Sequence, residues 1–209
     1  MSVLLIEPHY FPSIETFGLI YQSSELIWDI ESPFAKQTFR NRCYVLSANG
    51  TLPLIVPVHF HLGTSFKDVT IDYRQSWLRE HWGAVYSAYG KSPFFEYYAP
   101  YFQKVWNDKP KYLLDLNHAM LSVCLRLLQS DLAVGFDATK TGSVDLRGHI
   151  LPKKSFEERN LYRPFEYPQN FGNTFVPNLS ILDLLFCQGP EAGKMLIRSV
   201  RQPFERFVD

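Results

Sequence analysis

The stretch Val3-Leu4-Leu5-Ile6-Glu7-Pro8-His9-Tyr10-Phe11-Pro12-Ser13 decides how the fold is read. Val3 to Ile6 is a short, unbroken apolar run, the pattern of a strand covered on both faces in a parallel sheet. Pro8 and Pro12 punctuate a loop. Ser13 is placed to cap a helix that carries Ile14, Phe17 and Tyr21 at helical spacing. A second apolar run, Leu26 to Ile30, follows. Strand, loop, helix and strand within about thirty residues have the size of a βαβ unit, whose crossover is right-handed. Val3 to Ile6 is therefore expected to be an interior strand paired in parallel with Leu26 to Ile30.

Beyond this unit the pattern changes. Tyr44 to Ala48 and Leu52 to Val58 are strand-like and flank Asn49-Gly50, a strong hairpin signal. Pro53 and Pro57 assign the second of these strands to an edge or a bulge. Helices are expected from residue 76 on. One runs from a Ser76 cap to Gly90, and the next opens at Ser92-Pro93. A third spans Leu113 to Leu128, with Leu113, Leu116, Met120, Val123 and Leu127 as its apolar stripe. Residues 130 to 173 are irregular, with a strand expected within Val144 to Ile150. Ser180-Ile181-Leu182-Asp183 has capping-box spacing at the start of a short apolar helix, and a last helix begins near Pro190. The expected fold class is α/β: a mixed sheet starting with a βαβ unit and an antiparallel hairpin, flanked by helices.

Composition sets the outer limits. The 209 residues are 46% hydrophobic, and 21 Lys+Arg balance 21 Asp+Glu, which argues against disorder and against a nucleic-acid backbone as partner. The apolar runs fall far short of the ~18 residues of a membrane span. Cys43, Cys124 and Cys187 are odd in number and far apart, so reduced thiols in a reducing compartment are expected. Met1 to Glu7 lacks the charge pattern of a signal peptide, which makes the expected location cytoplasmic. No G-x-S-x-G elbow, P-loop or G-x-G-x-x-G is present.

Several of these stretches in combination resemble the WbqC-like protein family. They are Glu7-Pro8-His9-Tyr10-Phe11-Pro12, Asn41-Arg42, Asn49-Gly50 with Leu54-Ile55-Val56-Pro57-Val58, and Trp77, His81 and Tyr86. Ala88-Tyr89-Gly90-Lys91-Ser92-Pro93-Phe94-Phe95, Tyr98 and Phe175 to Phe186 complete the set. The resemblance runs from Leu4 to about Gly189 and implies one domain of this family over residues 1–209. The family's name comes from genes of surface-polysaccharide biosynthesis. The resemblance thus implies a link to sugar or cell-envelope chemistry, without specifying a reaction.

Five groups of residues are candidates for chemistry. The loop Glu7 to Pro12 follows a parallel strand, where α/β proteins place ligands. Its His, Tyr and Glu can exchange protons or hydrogen-bond, although a rigid turn packed on the core fits the two prolines equally well. Lys36, Arg40, Asn41 and Arg42 end a stretch whose first 35 residues hold no basic side chain. Paired guanidiniums suit a phosphate or carboxylate, the plainer reading being ion pairs with Asp29 or Glu31. His59-x-His61, with Asp72 and His81, has loose metal-site spacing, against a solvated edge strand. The aromatics between Trp77 and Phe102 are mostly expected in the core, and at least half of them buried. Asn178, Ser180 and Asp183 read as helix capping.

The leading expectation is an enzyme, a group transferase acting on an anionic, sugar-linked small molecule such as a nucleotide sugar. In it, His9 and Glu7 are the catalytic candidates, Tyr10 and Asn41 orient the substrate, and Arg40 and Arg42 grip the anion. The loop Glu7 to Pro12 is expected to lie beside Arg40, Asn41 and Arg42 and to form one polar pocket with them. The rivals are a non-catalytic binding module of envelope biogenesis and a metal-dependent hydrolase built on His59 and His61. The sequence specifies neither a cofactor nor an oligomeric state.

Overall fold

A computed structural model describes residues 2–139 and 141–201. The chain opens with β1 (Val3–Ile6), α1 (Ile14–Gln22) and β2 (Glu25–Trp28). β1 and β2 are parallel, in register Val3 with Glu25 to Ile6 with Trp28, as the apolar runs predict. Ser13 caps α1, its Oγ accepting from Thr16 N. α1 is buried on nearly every side from Ile14 to Ile20, unlike the one-sided helix of a protein surface. A Cβ on Gly18 would lie 2.9 Å from Val200 Cγ2, so the absent side chain is what allows the C-terminal segment to pack this closely.

The long insertion between 29 and 133 begins with a ribbon of β3 (Arg42–Ser47) and β4 (Gly50–Ile55), paired antiparallel. Ser47 pairs with Gly50, so the turn residues are Ala48 and Asn49 rather than the expected Asn49-Gly50. Neither has positive φ, whereas Gly50 has φ +98°. The geometry is a turn followed by a left-handed glycine bulge, not the type I′ turn that Asn-Gly predicts. A short antiparallel pair follows, β5 (Val58–His59) with β6 (Thr70–Ile71). Three long helices come next: α2 (Trp77–Tyr89), α3 (Phe95–Asn107) and α4 (Leu113–Leu127). α3 starts two residues later than Ser92-Pro93 predicts. Ser92 Oγ accepts from Asn170 Nδ2 at 2.7 Å and does not cap the helix.

β7 (Val134–Gly135) and β8 (Ser143–Asp145) return to the first sheet, completing the order β7-β2-β1-β8, with every pair parallel. The α/β class, the βαβ start and the antiparallel hairpin are all present. The parallel and antiparallel strands form separate sheets. The last helices among the described residues are α5 (Phe156–Arg159), α6 (Ile181–Gln188) and α7 (Ala192–Ser199). Ser180 caps α6 through Leu182 N, but Asp183 does not close a capping box. The Ser180 N–H that Asp183 would accept already donates to Tyr44 O of β3 at 2.8 Å. Asp183 turns inward instead and accepts from Tyr167 Oη at 2.5 Å and Gln169 Nε2 at 2.9 Å. Burial raises its pKa.

One continuous hydrophobic cluster joins the parallel sheet, α1, the inner face of β3 and the long helices. Of the aromatics between Trp77 and Phe102, Trp77, Tyr89, Phe95 and Phe102 are buried. Tyr86, Tyr97 and Tyr101 are exposed, so fewer are core than expected. The three thiols are free and buried, which pushes the Cys187 pKa up to about 12. Among the described residues no helix is long and apolar enough to cross a membrane.

Candidate functional site

From β1 the chain moves to β2 and β7 on one side of the sheet, then to β8 on the other side of β1. The direction of winding therefore reverses between β1 and β8. In open parallel sheets ligands settle at the carboxyl end of such a reversal, because the connecting loops diverge there and leave a crevice. Two segments meet at this point: the loop Glu7 to Pro12 after β1, and the turn Leu146 to His149 after β8.

Glu7 is buried, and its Oε1 accepts from Gly148 N at 2.7 Å and from Arg40 Nη2 at 3.3 Å. Arg40 Nη1 donates to Pro33 O at 2.7 Å, while its Nε is buried without a partner. Of the expected neighbours of the loop, Arg40 meets it through Glu7, and Tyr10 N donates to Phe39 O at 2.9 Å, while no hydrogen bond or ion pair among the described residues joins the loop to Asn41 or Arg42. Arg40 lies in a turn ahead of β3, not on a strand sharing a face with Arg42. Beside the same edge, Arg147 donates to Asp29 at 3.2 Å and also pairs with Asp145, tying the ends of β2 and β8 together.

His9 is 3% exposed and packs on Phe39 with ring centroids 5.4 Å apart. Its Nδ1 is buried without a partner. Burial, and then the guanidiniums of Arg40 and Arg159, push its pKa down to about 3, so the imidazole is neutral at physiological pH. Arg159, from the stretch that reads as irregular, forms a two-pronged pair with Glu15 on α1, with Nε to Oε1 at 2.9 Å. Asn178 clamps the other side of Glu15. Its Nδ2 donates to Glu15 Oε2 at 3.0 Å, and its Oδ1 accepts from Glu15 N at 2.9 Å. The backbone adds Ile181 N to Pro12 O and Ile14 N to Leu179 O, so residues 178–181 hold the loop from below. Phe11 has φ +43°, a strained state for a bulky residue. Edge contacts with Phe102 and Trp106 hold it there.

The other expected site residues have different roles. Tyr10 is wholly buried and points away from the sheet edge. Trp106 Nε1 donates to its oxygen at 3.0 Å, and Tyr10 Oη lies 3.1 Å from His81 Nδ1. His81 Nε2 in turn lies 3.2 Å from Ile55 O. This chain engages the tyrosine hydroxyl and joins the loop to α2 and α3. Asn41 donates from Nδ2 to Val56 O at 2.9 Å and fastens the base of the hairpin. Arg42 is half-buried, with its Nε unpartnered, and has no carboxylate partner among the described residues. The charges that act on His9 are those of Arg40 and Arg159, not Arg42.

The His59 constellation does not assemble. His59 Nε2 lies 3.4 Å from Asp72 Oδ1, but that carboxylate is held by Arg74 at 2.9 Å, and both His81 nitrogens are engaged. Among the described residues no three His, Cys, Asp or Glu side chains gather with metal-site geometry.

A model of the WbqC-like protein family matches residues 7–145 and 150–195. The chain belongs to the WbqC-like family. The break in the match falls on the turn after β8 that carries Gly148, the backbone partner of Glu7. The chain is also similar to a protein of Mycobacterium tuberculosis described only as uncharacterized. That relative is 26% identical over 230 residues, covering 93% of this chain and 97% of its own length. No solved structure matches. Within this WbqC-like chain, the residues that sequence reading missed are Gly148, Glu15 and Arg159. Gly148 and Arg159 sit in an irregular stretch without periodicity. Glu15 reads as an ordinary first-turn acid.

Proposed function

We propose that this WbqC-like protein is a group transferase whose anionic substrate docks at the carboxyl end of β1, with His9 as proton acceptor. The observation that carries this reading is the buried, neutral His9, whose Nδ1 has no partner, beside Arg40 and Arg159 at the reversal of the sheet. A hydroxyl or amine of an acceptor would attack the transferred group. Its proton would pass to His9, and the bond to the leaving anion would break with its electron pair remaining on that anion. In this reading Arg42, which has no carboxylate partner among the described residues, is the cation that would hold it. Burial is the main cause of the low His9 pKa; bound anion would offset the smaller part that comes from the guanidiniums and so make the imidazole a somewhat stronger base when substrate is present. Glu7 holds Arg40 in place and is a positioning residue. The family's link to surface-polysaccharide genes supports a sugar-linked substrate such as a nucleotide sugar.

A second reading, a binding module without turnover, is favoured by the internal Glu7–Arg40 pair, which already satisfies part of the anion clamp. One experiment tests both. Nucleotide sugars are titrated into the purified protein, and products with a supplied amine or alcohol acceptor are followed by mass spectrometry. The transferase reading expects turnover that falls at least a hundredfold in His9→Gln, at about the general-base contribution, and binding that weakens in Arg42→Ala. Binding without product supports the module. Neither binding nor product overturns both.

A further inference from the structure

A cavity of about 950 Å³ lies between residues 34–36 and the segment 58–70. Its walls are fixed by backbone bonds. Phe34 N donates to Thr64 O at 2.8 Å, Phe66 N to Ser32 O at 3.1 Å, and Lys67 N to Ile30 O at 3.0 Å. Within the 58–70 wall, His61 N donates to Thr64 Oγ1 at 2.9 Å. The lining combines an aromatic pair, Phe34 meeting Phe60 edge-on at 4.7 Å, with the basic side chains Lys36, His59 and His61.

Lys36 is the telling residue. It is exposed and has no carboxylate partner among the described residues. Its ammonium rests 5.2 Å from the centroid of the Phe60 ring. A cation held over an aromatic face at the mouth of a preformed cavity is weakly committed, because an exposed contact of this kind is worth only about 0.5–1 kcal/mol. The His61 ring has no hydrogen-bond partner among the described residues, whereas His59 lies 3.4 Å from the Asp72 carboxylate that Arg74 holds. The lining carboxylate, Asp68, is exposed and can accept from ligand N–H or O–H groups.

We infer that this cavity is a second binding site, for a small organic anion carried on a planar ring. The ring replaces the Lys36 ammonium over Phe60, and the ammonium and His61 take the phosphate or carboxylate. The volume suits a ligand of nucleoside-phosphate size and far exceeds a bare phosphate. The inference does not depend on the reading of the sheet-edge site.

The test is calorimetric titration of the full chain with adenosine 5′-monophosphate, benzoate, adenosine and inorganic phosphate. The expected result is binding of adenosine 5′-monophosphate or benzoate at least tenfold tighter than adenosine or phosphate. Which of the two prevails tells phosphate from carboxylate. Lys36→Ala and His61→Ala, both exposed, should each weaken that binding by about tenfold with unchanged melting temperatures, the loss expected for one charge-assisted contact. Arg42→Ala at the other site should leave it unmoved. The inference is overturned if neither ring-bearing anion binds. It is also overturned if both variants bind like the parent, or if Arg42→Ala abolishes the binding.

Discussion

His9 shows how burial and neighbouring charge turn an ordinary side chain into an unusual one. Its pKa falls from 6.5 to about 3, and that of His81 falls to about 4 through burial. In the unfolded chain both take up a proton below about pH 6.5, whereas in the folded chain they resist it. Each therefore stabilises the fold fully above pH 6.5, and that contribution drains away as pH falls towards the folded pKa. The loss is roughly 1.4 kcal/mol per pH unit for each histidine. Asp183, whose pKa is raised, acts in the opposite sense, gaining stability as pH falls, so the total slope is a difference. The discriminating measurement is urea unfolding of parent and His9→Gln between pH 7 and 4.5. The variant should lose stability less steeply on acidification. Parallel curves would mean that His9 is protonated in the folded protein.

Among the elements, the β3–β4 ribbon separates what a motif signals from what it builds. Asn49-Gly50 marks a reversal of the chain, and the reversal is there. The glycine, however, serves as the bulge residue after the turn. Gly50 has open space where a Cβ would go, so a substitution there is opposed by backbone conformation alone. Gly50→Val should cost roughly 1–3 kcal/mol, the strain of a β-branched residue at positive φ. Gly50→Asn should cost less, because Asn tolerates the left-handed region. Chemical denaturation of the two variants checks the order, and equal stability of Gly50→Val and parent would contradict the bulge. α6 makes a related point. Its cap residue Ser180 is legible, but the fate of Asp183 is not, since a carbonyl on β3 decides it.

On the scale of the whole molecule, the two ends of the described chain hold one loop between them. Pro12 and Ile14 bond to Ile181 and Leu179, and Glu15 is locked by Asn178 and Arg159. The Glu15 carboxylate is wholly buried and the Arg159 side chain is 8% exposed. Removing one partner strands a charge out of water, which costs about 3–5 kcal/mol. Arg159→Leu should therefore destabilise the protein by that amount, and adding Glu15→Gln should recover part of the loss. Urea unfolding of the single and double variants tests the coupling. Simple additivity of the two would show that the pair does not act as a unit.

By itself the sequence determined the local elements: the parallel β1–β2 pair, the capped α1, the hairpin and the three long helices. Each follows from apolar periodicity or from a cap or turn residue that acts within a few positions. It also marked the loop Glu7 to Pro12 and its neighbour Arg40, which lie together. Only the tertiary structure decided that β8 pairs with β1, which places the reversal of the sheet over Glu7. It also brought Arg159 to within electrostatic reach of His9, and turned Tyr10 into the core. The physical reason is range. Periodicity and capping are nearest-neighbour effects written in consecutive residues. A buried ion pair 144 residues apart in sequence, such as Arg159 with Glu15, is set by desolvation and packing, which exist only once the chain has folded.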